Sequence, residues 1–319
     1  MKSVNVSFIG SSFDTMDAIA SRLAKKGTES DIALHDKREG DVAVSIAIPR
    51  TYPERIQPLL QSLSMADTVV FFPEAADSIV GEEIVAIGSY SRPGIVVADE
   101  DLGNKLLRLI SQRTPGWKFV ARGDNTEREL WENLTSYNAS RDPDRENWRV
   151  DVDHAFDVKG VGTVCLGIVR YGTARVHDKV VAMPTGREGL VRTIQIFDVD
   201  QKEAPAGSRV GFALKGLTPD DLPRGTVITN NMRYGTAKNI SISLKRENFF
   251  KDPFEAGRVI HLNVGLQCKQ ARVIAVGETV DIEAEEAVAL EGDNAVLFSA
   301  KPPGQLRIAG HGAAASLIS

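Results

Sequence analysis

The chain has 319 residues, 42% of them hydrophobic and 25% charged, with a formal net charge of −5. At ~150 residues per domain that length implies more than one core; no apolar run approaches the ~20 residues of a membrane span, and the N-terminus lacks the basic leader and cleavage site of a signal peptide, so a cytoplasmic protein is expected. Net acidity excludes indiscriminate coating of nucleic acid, which rests on many cationic contacts to phosphate, and two cysteines, Cys165 and Cys268, are too few for a disulfide framework or a zinc site.

The first ~145 residues alternate strand-like and helix-like patterns, the signature of a parallel sheet flanked by helices. VNVSFIG at 4–10 reads as a strand. DTMDAIASRLAKK at 14–26 puts Met16, Ile19, Ala20 and Leu23 on one face and predicts an amphipathic helix, with Asp14 near its start and two lysines at its end. VSIAI, TVVFF and GIVVA predict further strands, and PERIQPLLQSL, DLGNKLLRLISQ and NTERELWENL further helices. After the polar stretch SRDPDRENW at 140–148 the helical period disappears. GTVCLGIVRYGTARVHDKVVAMP, VRTIQIFDV, SRVGFAL and GTVIT are short strands with glycine, proline and aspartate turns, a spacing typical of small antiparallel barrels. A second set begins near Gly235, with AKNISISLKR, RVIHLNVGLQCKQARVIAV, TVDIEAEEAVAL, NAVLFSA and QLRIAG. The expected architecture is multi-domain, α/β plus all-β: an α/β domain at 1–145 and two antiparallel β-barrels at 149–235 and 236–319.

Charge is unevenly spread. Arg233 to Arg272 holds eight lysines and arginines against three acids, whereas Glu278 to Asp293 holds seven acids and no base. The five histidines are scattered, no serine sits in a nucleophile elbow, and no ligand spacing suggests a metal, so no catalytic constellation and no metal site are expected.

The segment RVDVDHAFDVKGVGTVCLGIVRYGTARVHDKVV, followed by VRTIQIF, AGSRVGFALKGL and PRGTVI, resembles the second domain of the EF-Tu and SelB translational GTPases, with glycines such as Gly160, Gly162, Gly172, Gly207 and Gly211 falling in order. KRENFFKDPFEAGRVIHLNVGLQCKQARVI through LRIAGHG is similar to their third domain. The resemblance implies a P-loop-GTPase-like first domain. It is nearest to the SelB-like paralogue of some archaea linked with pyrrolysine tRNA, and the chain stops before the further C-terminal domain that SelB carries.

Measured against that family, the nucleotide motifs are degraded. A phosphate-binding loop has the form G-x-x-x-x-G-K-S/T; here Gly10-Ser11-Ser12-Phe13-Asp14-Thr15-Met16-Asp17 keeps only Gly10, with Met16 at the lysine and Asp17 at the magnesium-binding hydroxyl. The D-x-P-G-H segment corresponds to Pro49-Arg50-Thr51-Tyr52-Pro53, with no residue to orient water. The guanine-reading stretch corresponds to Ala98-Asp99-Glu100-Asp101, retaining Asp101. Gly10, Asp14, Met16, Asp17 and Asp101 thus mark a vestigial nucleotide site. No cofactor is expected, and GTP with magnesium enters only if that site still works. The residues are expected to serve folding instead, Met16 packing under the sheet and Asp14 or Asp17 capping a helix.

In the resembled family the second domain holds the aminoacyl group and 3′-terminal adenosine of tRNA. Carried onto this chain, that role falls to Asp153, His154, Phe156, Glu203 and Arg209, while Lys245, Arg246, Lys251, Arg258 and Lys269 are the implied contacts to the tRNA backbone. The implied partners are aminoacyl-tRNA and the ribosome, with no membrane and a monomeric chain. The rival readings are a working GTPase with atypical loops, and a ribosome- or protein-interaction module that binds no tRNA.

Overall fold

The structure, a computed structural model, describes residues 1–316; the end of the expected third domain, 317–319, lies outside the described residues. The α/β domain runs β1 (Lys2–Gly10), α1 (Phe13–Leu23), β2 (Lys25–Glu29), β3 (Ile32–Glu39), β4 (Val42–Pro49), α2 (Gln57–Met65), β5 (Thr68–Phe72), α3 (Ser78–Tyr90), β6 (Gly94–Ala98), α4 (Glu100–Arg113), β7 (Lys118–Ala121) and α5 (Thr126–Ser136). The sheet order is β2-β3-β4-β1-β5-β6-β7. β4, β1, β5, β6 and β7 are parallel, and the central strands β1, β5 and β6 are buried on both faces, β5 and β6 as nearly unbroken apolar runs and β1 with Asn5 and Ser7 among its buried residues.

Three expectations are corrected. The sheet is mixed, because β2 and β3 pair antiparallel with each other and with β4. The first helix ends at Leu23 instead of residue 26: Ala24 turns extended, and Lys25 and Lys26 pair with Asp36 and His35 in the β2–β3 ladder. The helix α3 carries no amphipathic stripe in sequence because it is buried nearly all round, down to Glu82 and Glu83, and such a helix has no 3.6-residue polarity pattern to detect. Asp77 starts it by accepting from the amides of Ile79 and Val80 at 3.0 and 2.9 Å.

Two closed six-stranded antiparallel barrels follow. The first is built from β8 (Arg149–Val158), β9 (Gly162–Tyr171), β10 (Thr173–Arg175), β11 (Lys179–Met183), β12 (Arg187–Ile196), β13 (Val199–Gln201), β14 (Glu203–Pro205), β15 (Arg209–Lys215) and β16 (Val227–Thr229). Its ring is β11-β16-β8-β9-β15-β12, closed by β11 on β12, with β10 and β14 forming a separate ribbon. Trp148 packs edge-on against Phe212 in its core and donates from Nε1 to Asp178 at 2.7 Å. Gly172, at φ +69°, is required where the chain passes the backbone before β8, since a Cβ there would lie 2.4 Å from the Asn147 carbonyl. The second barrel comprises β17 (Thr236–Ile242), β18 (Lys245–Arg246), β19 (Val259–Val264), β20 (Gln267–Val276), β21 (Val280–Ala289), β22 (Asn294–Phe298) and β23 (Ile308–Ser316), with ring order β17-β21-β20-β19-β22-β23 closed by β17 on β23.

The chain divides into two compact units. One is Met1–Ala139 with Arg246–Asp252 and Val296–Gly310; the other is Ser140–Lys245 with Pro253–Ala295 and the residues from His311 on.

Candidate functional site

At the phosphate-loop position, β1 runs to Gly10 and α1 begins at Phe13, so only Ser11 and Ser12 lie between strand and helix. Ser12, not an aspartate, caps the helix: its hydroxyl accepts from the Thr15 amide at 3.3 Å. The helix thereby absorbs the residues that a phosphate loop would leave unwound. Met16 is 1% exposed and sits in the core with Val4, Val6 and Phe8. Asp17 accepts from Lys26 Nζ at 3.1 Å and pairs with Nε2 of the buried His35 at 2.9 Å. Burial alone raises its carboxyl, but these partners hold it below the ordinary value. Asp14 is exposed, adding negative charge beside the loop. Gly10 is hemmed in, a Cβ there meeting the Phe72 carbonyl at 2.7 Å. These side chains do not fit a nucleotide triphosphate: no cation points from positions 14–17, and the lysine's position is filled by a core residue. Asp101 lies in the first turn of α4, exposed, in an open depression with Asn104, Lys105 and Arg108.

In the first barrel the residues converge. β8 alternates Arg149, Asp151 and Asp153 with the core residues Val150 and Val152, yet both sets are buried. A β-bulge then re-aims the strand: Val152 opposes Gly167 and His154 opposes Leu166, leaving Asp153 as the extra residue. Arg209 opens β15, which joins β8 through β9. Its guanidinium grips the Asp153 carboxylate, Nη1 at 2.5 Å and Nη2 at 3.3 Å, and His154 Nδ1 approaches the same carboxylate at 2.7 Å. An ionised carboxylate only accepts, so Nδ1 carries the proton and Nε2 is the ring atom left for a ligand. Burial would raise the Asp153 carboxyl; the charge of Arg209 and the hydrogen bonds from His154 and Arg209 outweigh it and hold the group far below the carboxylate range. The buried thiol of Cys165 is pushed up to about 12 by desolvation and by the Asp153 charge, which disfavours the thiolate.

Asp153, His154 and Arg209 therefore form one cluster, and Phe156, two residues beyond His154 on the same face of β8, is 43% exposed and not barrel core. Glu203 lies elsewhere, on the β10–β14 ribbon, exposed and paired with Arg175 at 3.4 Å. Of the implied backbone contacts, Lys245, Arg246 and Lys251 are exposed, Lys269 is already paired with Glu286, and Arg258 donates to the Pro253 carbonyl at 2.7 Å.

Two features escaped sequence reasoning. Arg224 donates from Nε to the Asp153 carbonyl at 3.3 Å, adding a second guanidinium to the cluster. Arg149, 4% exposed, binds Asp151, Tyr234 and Asp293, each at 2.6 Å. The signal for Arg149 was the alternation of charge with valine in RVDVD, which no solvated strand face needs when both faces are covered.

Residues 162–229 match the family described as Elongation factor Tu domain 2. An uncharacterized protein of Methanocaldococcus jannaschii is 34% identical over 306 residues, covering 94% of this chain and 97% of that protein. The selenocysteine-specific elongation factor of the same organism is 32% identical over 166 residues, 52% of this chain and 35% of the factor. Among solved structures, translation elongation factor SelB from Methanococcus maripaludis, in complex with the GTP analogue GppNHp, superposes with a TM-score of 0.84 at 23% identity, covering all of this chain and 80% of SelB. At that identity the likeness speaks to the fold alone.

Proposed function

We infer that the chain is a member of the EF-Tu/SelB elongation factor family, and from that premise we propose that it binds aminoacyl-tRNA without GTP hydrolysis. The observation that carries this reading is the Asp153–His154–Arg209 cluster: buried charges, mutually satisfied, beside the exposed ring of Phe156. Orienting a carboxylate between a guanidinium and an imidazole is costly unless the arrangement is used, because a well-packed apolar substitute would serve stability as well. Phe156 offers a face on which a base or a flat side chain stacks. His154 Nε2, with the two guanidinium groups behind it, presents polar selection to an aminoacyl side chain. Glu203 is assigned to the terminal adenosine, and the exposed Lys245, Arg246 and Lys251 to phosphates.

The contrast with the loop at Gly10–Asp17 supports the absence of hydrolysis, since phosphoryl transfer depends on charge stabilisation and positioning that Met16 and the paired Asp17 do not supply. In this reading the protein is a cytoplasmic monomer whose cargo is a specialised tRNA delivered toward the ribosome. The test is titration of the purified protein with GTP and GDP by calorimetry, and with pyrrolysyl-, selenocysteinyl- and a standard aminoacyl-tRNA by fluorescence at several salt concentrations. The expected result is no nucleotide heat and salt-sensitive binding of one charged tRNA over its uncharged form. Tight magnesium-dependent GTP binding would identify a working GTPase instead, and silence toward every tRNA would identify a protein-interaction module.

A further inference from the structure

The loop Thr51–Arg55, at the position of the D-x-P-G-H segment, is held by side chains distant in sequence. Its anchor is Arg307, distant in sequence but part of the same compact unit. Arg307 is 1% exposed. It donates from its backbone amide and Nε to Glu82 Oε1 at 2.9 and 3.1 Å and from Nη2 to Oε2 at 2.5 Å. Its remaining nitrogen, Nη1, reaches the loop itself, donating to the Pro53 carbonyl at 2.8 Å and lying 3.5 Å from that of Glu54. Tyr52, 3% exposed, lies beneath the guanidinium at 5.7 Å and donates its hydroxyl to Glu82 Oε2 and the Ile79 carbonyl, each at 3.4 Å. Within the loop the Arg55 amide donates to the Thr51 carbonyl at 2.8 Å.

Each charge in this assembly has one counterpart. Glu82 is the anion for Arg307, while the adjacent Glu83 is fully buried with neither oxygen bonded, and burial together with Asp77, Glu82 and Glu74 pushes its carboxyl well above the ordinary range. A second ion pair fastens the same unit: Arg113 grips Glu247 bidentately at 3.1 and 2.7 Å, and the Glu247 amide donates at 2.9 Å to the carbonyl of Ala309, in the strand that begins just after Arg307.

We propose that Arg307 is a latch that fixes the Thr51–Arg55 loop in a single arrangement, so that this unit is a static body and not a nucleotide-operated switch. A guanidinium with all three nitrogens engaged, buried against an aromatic ring, leaves the loop no second set of partners at comparable cost, because moving it abandons a desolvated charge pair. Lysine cannot replace the arginine, since one ammonium cannot hold both carboxylate oxygens and a carbonyl on the opposite side.

Hydrogen exchange of the full chain, followed by mass spectrometry on peptides spanning 50–57 with β1 and β5 as internal references, tests the latch directly and uses no tRNA, so its outcome is separate from that of the tRNA titration. In the native protein the loop peptide is expected to be protected, with the same rates in buffer and in millimolar GTP with magnesium. Arg307→Met is expected to speed exchange of that peptide about tenfold or more while β1 and β5 keep their rates. Arg307→Lys retains the buried charge and is the variant to read if the methionine variant fails to fold; it is expected to show the same local loss. Unchanged loop exchange in a folded Arg307 variant, or a nucleotide-dependent change in the native loop, overturns the proposal.

Discussion

The turn after β1 and the bulge in β8 treat charge in opposite ways. At the turn, the family's lysine position holds Met16, sealed into the core at 1% exposure, and the nearby Asp17 is tied down by Lys26 and His35. At the bulge, a carboxylate, an imidazole and a guanidinium are assembled where the strand could have been valine throughout, and an aromatic ring is left open to solvent beside them. One region has been made into ordinary core; the other maintains a polar arrangement whose desolvation is offset only by mutual contacts. The turn offers packed core and an already paired carboxylate, the bulge a polar cluster with an exposed ring on the same strand, and that contrast is the reason to look for function in the barrel.

The largest effect should come from forcing the first region back. Met16→Lys restores the residue type of a phosphate loop at its own position, but places an ammonium between Phe8, Val4 and Val6 with no anion beside it. The expected cost is about 3–5 kcal/mol, the scale for an uncompensated buried charge, measured as a lower midpoint in urea, and calorimetry should show no gain in GTP affinity. A lysine variant that keeps its stability and binds GTP would mean that the turn is a phosphate loop awaiting one side chain.

The second effect is on the barrel cluster. Asp153→Asn leaves Arg209 and His154 without their anion, and because Arg209 retains 12% side-chain exposure the loss should be smaller, roughly 2–3 kcal/mol. The sign of the pH dependence is fixed by the direction of the shift. A carboxyl held low in the folded state contributes fully above its unfolded value near ~3.9, and that contribution is lost as pH falls toward the folded one. The native protein should therefore show an acid limb below about pH 5 that the asparagine variant largely lacks. Parallel acid limbs in the two proteins would show that the Asp153 pair is energetically idle.

These two regions also differ in how far the sequence disclosed them. β5 and β6 were legible because a strand buried on both faces is written as a nearly unbroken apolar run, and β1 because its apolar residues alternate with small polar ones before FIG. The ladder of β2 and β3 was not, since KKGTE is a short, charged edge strand and IALHDKRE beside it is apolar only in its first three residues, so neither shows a sustained alternation. Departure from the phosphate-loop motif could be read directly, because Met16 stands where the motif has lysine. Grouping Asp153, His154 and Arg209 needed the resemblance, for Arg209 stands 56 residues from Asp153, and Arg224 was missed because a carbonyl contact leaves no mark in sequence. The same is true of Arg307 and Glu82, which are 225 residues apart: long-range ion pairs are products of topology, and no local pattern announces them.

The mildest change should be the most specific. Phe156 is 43% exposed at the open end of β8, so Phe156→Ala removes little buried surface and should shift stability by no more than about 0.5 kcal/mol. If a base or aminoacyl group stacks on the ring, affinity for charged tRNA should fall by roughly 1–3 kcal/mol, a factor of about five to a hundred or more. The slope of that affinity against salt should stay as in the native protein, because no phosphate contact is lost. Lys251→Ala should do the converse, reducing the salt slope with no preference between charged and uncharged tRNA. If Phe156→Ala binds charged tRNA as the native protein does while Lys251→Ala weakens it, the barrel cluster is not the aminoacyl pocket, and tRNA recognition resides in backbone contacts alone.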